Sequence, residues 1–449
     1  MTGRGSVSKK LKRLAFRVLS LLSRIKKPII GKIVAFLGEE ESKSTQYKPM
    51  TVTEFRKREN ISAKILIRSI QEETPHIEFY CPAHFLPRNP KTAYASPCCE
   101  LIEFENLTVM GRTDLLFKDD RVIHPDQFQP DEHIETLEQF NLGKYSAPDN
   151  VFTISDQPVT RTIKQGINLL AGGAGNYAHF ISEVIPKLLA LDNKKEYLDY
   201  PLLVDGWIGD ALKKIIVYFN ANCREVIPID SFERVRVEKL VHITSATFAP
   251  QDFRVNFSTS KNPTSTPTSI VESYLFSSAA MNMIRDYAWN KSRQSPSSTR
   301  KPTAKRIYLK RNSNFIDGVQ YNLRSILNEE EVHAILKDHG FMTVDTTTMS
   351  FQEQIETFKE ATIVASPLGA ALTNSAFCAP GSIIFGLGAY YKDADYSYHA
   401  NMMAALQHRY IPVLGSQWRQ SGQHPMHNSY AICTTSLRRA LAQIPSPTS

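Results

Sequence analysis

Short apolar runs alternate with amphipathic stretches most regularly in residues 341–386. Residues 341–345 are apolar and end in a carboxylate. Ser350 with Glu353 forms a capping box that opens a helix through about Lys359. Residues 361–365 (ATIVA) are uncharged and β-branched, and Ser366-Pro367 bounds them, which fits a fully buried parallel strand. The chain then turns at Pro367-Leu368-Gly369 into Ala370-Ala371-Leu372-Thr373-Asn374. A helix starting where a buried strand ends presents free N–H groups and a positive dipole end, which suit a phosphate. An ordinary crossover with a glycine at the bend explains the same residues equally well.

A second pattern lies in residues 168–192, where Gly172-Gly173-Ala174-Gly175 leads into a helix carrying His179 and Glu183. Four apart, these side chains share a face. A carboxylate on one imidazole nitrogen raises the basicity of the other, as a general base requires, although a structural His–Glu pair has the same spacing. Pro186 is expected to kink or shorten this helix. Strand, helix, strand and strand follow at 201–205, 211–219, 225–229 and 234–243, an alternation that reads as a first Rossmann-like lobe.

Residues 258–268 and 294–305 are polar and flank a helix at 270–290, so 258–305 reads as an interlobe connection. The strand RIYLK (306–310) places Arg311 at its carboxyl end, facing the crevice. Asn328 with Glu331 is expected to cap a helix over 329–337 that Gly340 ends. A helix end and strand follow at 404–413, then a terminal helix at 436–444. Between 50 and 165 the signals are short strands and turns, with 101–110 as a half-buried hairpin or edge and nothing catalytic. The boundaries that result are 1–45, 50–257, 258–305, 306–415 and 416–449.

Residues 9–27 put Leu11, Leu14, Ala15, Val18, Leu22 and Ile25 on one helical face and Lys10, Arg13, Arg17, Arg24 and Lys27 on the other. This basic amphipathic helix is expected to lie on an anionic membrane surface through residues 9–37; a basic tail or partner-binding helix is the alternative. Arg17 interrupts the apolar run, which argues against a secretory signal, and no uninterrupted apolar run reaches spanning length. The chain has 449 residues, 42% hydrophobic and 22% charged, which suits two lobes plus extensions. Its net charge of +8 is smaller than the ten Lys and Arg held by the first 33 residues, so a general nucleic-acid surface is not indicated. Six cysteines show no C-x-x-C pair, and Cys81 with His84 alone has ligand-like spacing, so no metal site is expected. Their irregular distribution favours a reducing compartment.

Two segments together resemble glycosyltransferase family 61. NYAHFISEVIPKLLALD (176–192) is similar to its N-Y-x-H-W-x-x-E-x-x-P-R-L block. RIYLKR, LNEEEV, SFQEQIETFKEATIVAS, GAALTN and AFCAPGS follow in the order of its second block. The resemblance covers about half the chain, from Asn168 onward. It implies a GT-B-like α/β fold, two Rossmann-like lobes facing a cleft, and transfer of a sugar from a nucleotide-sugar to a hydroxyl. On the matching positions it implies roles for Asn176, His179 and Glu183, for Arg311, for Gln354, and for Gly369, Ala370, Thr373 and Asn374. Leu368 stands where the family has histidine, and Phe385-Gly386 where it has an acid near the strand end.

From these residues we expect a uridine-type diphosphate donor at the helix start near Ala370, with Arg311 on the diphosphate. His179, oriented by Glu183, would deprotonate the acceptor in an inverting displacement without a metal or other cofactor. Tyr390, Tyr391, Tyr396 and Tyr398 can stack on sugars, although core or surface packing explains any single one of them better. Tyr391 and Asp393 are acceptor or auxiliary candidates, the latter in a D-x-D at Asp393 and Asp395 that is equally well explained as solvated. A glycan or lipid-linked acceptor for surface polysaccharide, at the cytoplasmic face of the inner membrane, fits this arrangement. A non-catalytic sugar-nucleotide or glycan-binding scaffold is the alternative, and a nucleic-acid-binding protein with a basic arm is a third reading.

Overall fold

The computed structural model describes residues 43–90, 93–127, 130–249, 274–294, 304–311, 314–316, 319–321, 324–391, 394–418, 425 and 428–446. The amphipathic segment 9–37, the polar tracts 258–268 and 295–303, and Asp393 lie outside these residues.

The fold is mixed α/β and is built on two large sheets. In the first, four parallel strands run in the order Val226–Ile229, Leu202–Asp205, Val159–Asn168, Arg234–Ile243. Cys99–Met110 then pairs antiparallel with Arg234–Ile243 along its whole length and leads into strands supplied by the N-terminal part. This corrects the expectation for 101–110. The stretch is one long central strand, and its alternation reflects two differently packed faces rather than an edge.

The second sheet runs in the order Met342–Val344, Arg306–Leu309, Ile363–Pro367, Ile383–Tyr390, Arg409–Gln417, Tyr430–Ile432. All its pairs are parallel except the last. Ile363–Pro367 is buried at every residue, as its uncharged sequence requires. The capping box of Ser350 and Glu353 is present at the start of the helix Phe351–Glu360. Gly340 ends the helix Glu329–Asp338 at φ +78°, a conformation that glycine adopts without strain. Asn328 departs from expectation. Its side chain makes no cap and instead brackets Ile432, accepting from its N–H at 2.9 Å and donating to its C=O at 3.0 Å.

The helix Ser278–Gln294 packs against elements of both sheets. Ala280, Met281, Ile284 and Ala288 share one core with Ile167, Leu202 and Val241 of the first sheet and Ile307, Val364 and Ile384 of the second. Trp289 donates from its ring N–H to the Phe377 carbonyl at 2.8 Å. From the N-terminal part, Tyr80 also reaches the second sheet, donating to Pro412 and accepting from Leu414, both at 2.9 Å.

Candidate active site

Each parallel sheet ends in a turn that carries polar residues, and these turns meet. In the first, the Gly172–Gly175 turn is held from below. The Asp205 carboxylate accepts from Ala171 N–H at 3.0 Å, Arg112 N–H at 2.6 Å and the Trp207 ring N–H at 3.0 Å. A side chain at Gly175 would run into the Trp207 ring. The glycines therefore belong to the scaffold that aims the following helix.

That helix begins at Tyr177–His179, capped by the Asn176 side chain accepting from Ala178 N–H at 2.9 Å. It widens into a π turn over Phe180–Val184 and returns to α at Ile185–Leu189. Pro186 lacks the N–H that an α-helix would direct at the Ser182 carbonyl, and the chain answers by widening the preceding turn rather than ending. The i→i+5 spacing brings residues four apart nearly into line, and His179 Nδ1 lies 2.9 Å from Glu183 Oε1. Glu183 is buried and also accepts from Ala249 N–H at 3.1 Å, which fixes the carboxylate. Burial opposes protonation of His179, but the charge and hydrogen bond of Glu183 outweigh it and hold the imidazole above its ordinary value. With Nδ1 committed to Glu183, Nε2 is the free nitrogen of a side chain that keeps 12% exposure.

In the second turn, Gly369 precedes a 3₁₀-helix, Ala370–Phe377, where the sequence suggested only a helix start. Arg311 projects from the end of its strand as expected and donates to the Leu368 carbonyl at 3.1 Å. Its Nη1 would lie 3.2 Å from a Cβ at Gly369, so the guanidinium rests closely against the turn. Arg324 lies within electrostatic reach of Arg311 and is held at about 10 by burial first and by the other guanidinium second. No carboxylate pairs with either arginine among the described residues, and Arg324 Nε is buried without a partner. Arg324 also sits at φ +60°, unusual for a non-glycine residue.

The two turns are joined directly: the Tyr177 hydroxyl donates to the Asn374 side-chain carbonyl. Thr373 Oγ1 and Tyr398 Oη face each other without a hydrogen bond of normal geometry, and neither has another partner. Tyr398 also lies within electrostatic reach of Glu183, and His399, held down to about 3 by burial and Arg324, keeps Nε2 unpartnered. Unpaired buried polar atoms are rare in folded proteins, and Arg324 Nε and His399 Nε2, beside two guanidiniums that no carboxylate pairs among the described residues, are atoms that a polar ligand would satisfy.

The remaining sequence candidates are placed differently. Gln354 donates to Thr346 O at 3.1 Å and Met349 O at 3.4 Å, so its amide ties the helix Phe351–Glu360 to the preceding turn. Asn176 is exposed and caps its helix. Tyr391 is half-buried at the edge of the site, facing Arg324. The other tyrosines follow the packing alternative to sugar stacking. Tyr390 is stacked on Phe85 at 4.1 Å, Tyr396 is 4% exposed beside Phe79, and Tyr398 is enclosed by Tyr274 and Phe276. Leu368 and Gly386 prove to be one packing event. A Cβ at Gly386 would stand 2.7 Å from Leu368 and 2.5 Å from the Tyr410 hydroxyl, and one at Gly388 would stand 2.5 Å from Leu368. Arg324 escaped the sequence reading because the surrounding NLRSIL carries no pattern. Tyr177 escaped because an aromatic between Asn176 and Ala178 reads as core.

Residues 177–385, just under half of the chain, match the Glycosyltransferase 61 family, and the match supports a glycosyltransferase. No curated protein matches the chain.

Proposed function

We propose, on the premise of a Glycosyltransferase 61 region at 177–385, that the protein transfers a sugar from a nucleotide-sugar, of uridine diphosphate type, to a hydroxyl of a glycan or lipid-linked acceptor. The observation that carries this reading is the unpaired arginine pair beside Gly369, joined through Asn374 and Tyr177 to the helix of His179. The diphosphate occupies the space before Ala370, where Arg311 and Arg324 supply two charges and the start of the 3₁₀-helix supplies N–H donors. As the glycosidic bond breaks, negative charge grows on the leaving diphosphate, and these fixed groups stabilise it without a metal. His179 Nε2 takes the proton of the acceptor hydroxyl while its oxygen attacks the anomeric carbon from the opposite face, giving inversion, and Glu183 stabilises the imidazolium that forms. In this reading the two sheets are the two lobes of a GT-B-like arrangement. Residues 9–37 hold the enzyme on the inner membrane face, where surface polysaccharide is assembled.

A second reading, a non-catalytic sugar-nucleotide or glycan-binding member, is favoured by the Leu368–Gly386 packing, which fills with hydrocarbon a place where the resemblance leads one to expect a histidine and an acid. A panel of nucleotide-sugars separates the outcomes. Ligand at a hundred times its Kd stabilises the native state by about 2.7 kcal/mol, and the transferase reading expects this shift with one donor, together with turnover. The shift should vanish in Arg311→Ala. Stabilisation without transfer or donor hydrolysis selects the binding protein, and no stabilisation by any nucleotide removes the donor site.

A further inference from the structure

A small pocket, about 70 Å³, opens at the carboxyl ends of the Val159–Asn168 and Arg234–Ile243 strands, with Asp114, His133, Gly172, Glu183, Lys187 and His242 in its wall. Of these, Gly172 and Glu183 also belong to the site already described. Ligands of parallel sheets collect at strand carboxyl ends, and the donor groups of this pocket favour one charge. Lys187 and His242 are 6% and 5% exposed, yet neither Lys187 Nζ nor His242 Nε2 has a hydrogen-bond acceptor among the described residues.

The tautomer of His242 follows from its neighbours. Leu170 N–H donates to Asn168 Oδ1 at 3.1 Å, which turns the Asn168 amide nitrogen toward His242 Nδ1 at 3.3 Å. Nδ1 therefore accepts, and the ring proton sits on Nε2. Burial first and Lys187 second hold His242 down to about 3, so the ring stays neutral and acts as a donor.

The carboxylates of the wall have partners of their own. His133 places Nδ1 3.3 Å from Asp114 Oδ2 and Nε2 2.6 Å from the Gln127 carbonyl. Asp114 is therefore partnered by the His133 ring. Glu183 is matched by His179. Burial lowers Lys187 below the ordinary lysine value against the pull of both carboxylates, and its amine nitrogen is hydrogen-bonded to neither. Two nearly buried side chains, Lys187 and His242, thus present N–H donors without acceptors to one pocket, and an anion would satisfy both.

We propose that this pocket binds an anionic group, a carboxylate or a phosphate, carried by the sugar acceptor, with Lys187 Nζ and His242 Nε2–H as its donors. That the occupant is the acceptor rests on the transferase reading; that the pocket takes an anion does not. Glu183 lies in the wall of the pocket and also holds His179, so an acceptor anchored here is tied through one carboxylate to the base that would deprotonate it.

Calorimetric titration of the full chain with glucuronate, glucose 6-phosphate, inorganic phosphate and glucose tests this. Both sugar-borne anions are expected to bind saturably, more tightly than inorganic phosphate, and glucose not at all. Lys187→Met should weaken them at least tenfold while UDP affinity stays within twofold. Should that variant not fold, Lys187→Gln keeps a polar end and is expected to show the same loss. Equal affinity in either variant, or no binding by any anion, overturns the site. Inorganic phosphate binding as tightly as the sugars overturns the acceptor assignment. Loss of UDP binding in the wild type with anion binding intact contradicts the transferase reading instead.

Discussion

The hydroxyl of Tyr177 donates to the side-chain carbonyl of Asn374, across 197 positions of sequence. One residue opens the helix of the candidate base, and the other lies in the 3₁₀-helix before which the donor diphosphate is proposed to sit. The contact fixes the distance between the proposed proton acceptor and leaving group. Tyr177→Phe leaves a buried carbonyl without its donor, at a cost of about 1–3 kcal/mol. In a double-mutant cycle with Asn374→Leu, urea unfolding should show the double variant less destabilised than the sum of the singles. Strict additivity would separate the two turns energetically.

Arg324 is the residue whose role is hardest to see in sequence. Its guanidinium is buried beside Arg311 with no carboxylate among the described residues, an arrangement that like-charge repulsion opposes until an anion arrives. Arg324→Gln is expected to weaken UDP binding about tenfold or more while leaving thermal stability without ligand unchanged or higher. Lower stability with unchanged UDP affinity would make the residue structural.

The packing of Leu368 against Gly386 and Gly388 yields a prediction about stability alone. Gly386→Ala forces a methyl group to within 2.7 Å of Leu368 and 2.5 Å of the Tyr410 hydroxyl, at a cost of about 1–3 kcal/mol. Leu368→Ala removes one of the two clashes, so the double variant should recover part of the loss. Denaturant midpoints measure both. A tolerated Gly386→Ala would show that the strand shifts freely there.

Acid should destabilise the protein earlier than its carboxylates require. Burial is the first cause that holds His124 and His408 at about 4 and His242 and His399 at about 3, all below the ordinary imidazole value of about 6.5. Between these limits the unfolded chain binds protons that the native state refuses, so stability falls as pH drops from about 6.5 toward 4. His179 has the opposite sign. Its raised value adds stability that is complete below the ordinary imidazole range and lost as pH rises through its folded value. Asp205, which burial raises to about 6, shares that sign as pH falls from 7 to 5, and four groups against two give a lower denaturant midpoint at pH 5 than at pH 7. An equal or higher midpoint at pH 5 would contradict the buried neutral rings.

Much of this architecture is legible in the chain. The strand 234–243, the capping box at Ser350, the stop at Gly340 and the position of Arg311 follow from local chemistry that the fold leaves unchanged. Three features depended on partners distant in sequence. Residues 101–110 look like an edge until Arg234–Ile243 and other strands cover both sides. Pro186 reads as a kink or an early stop, and only the surrounding core makes a π turn the better outcome. Aromatic residues between 390 and 398 read as packing or as a sugar platform, and Phe79, Phe85, Tyr274 and Phe276, from elsewhere in the chain, cover three of those rings. Arg324 and Lys187 gain meaning only from what surrounds them in space.

The most direct measurement compares sugar transfer by His179→Ala with that by the wild-type protein, at saturating nucleotide-sugar and across pH. General-base catalysis contributes about 10²- to 10⁴-fold, so the variant should lose transfer on that scale while its UDP affinity stays within twofold. The wild-type rate should rise with pH through a value above the ordinary imidazole range, and the variant should lack that limb. A variant that transfers at the wild-type rate, with the same pH profile, would contradict the account.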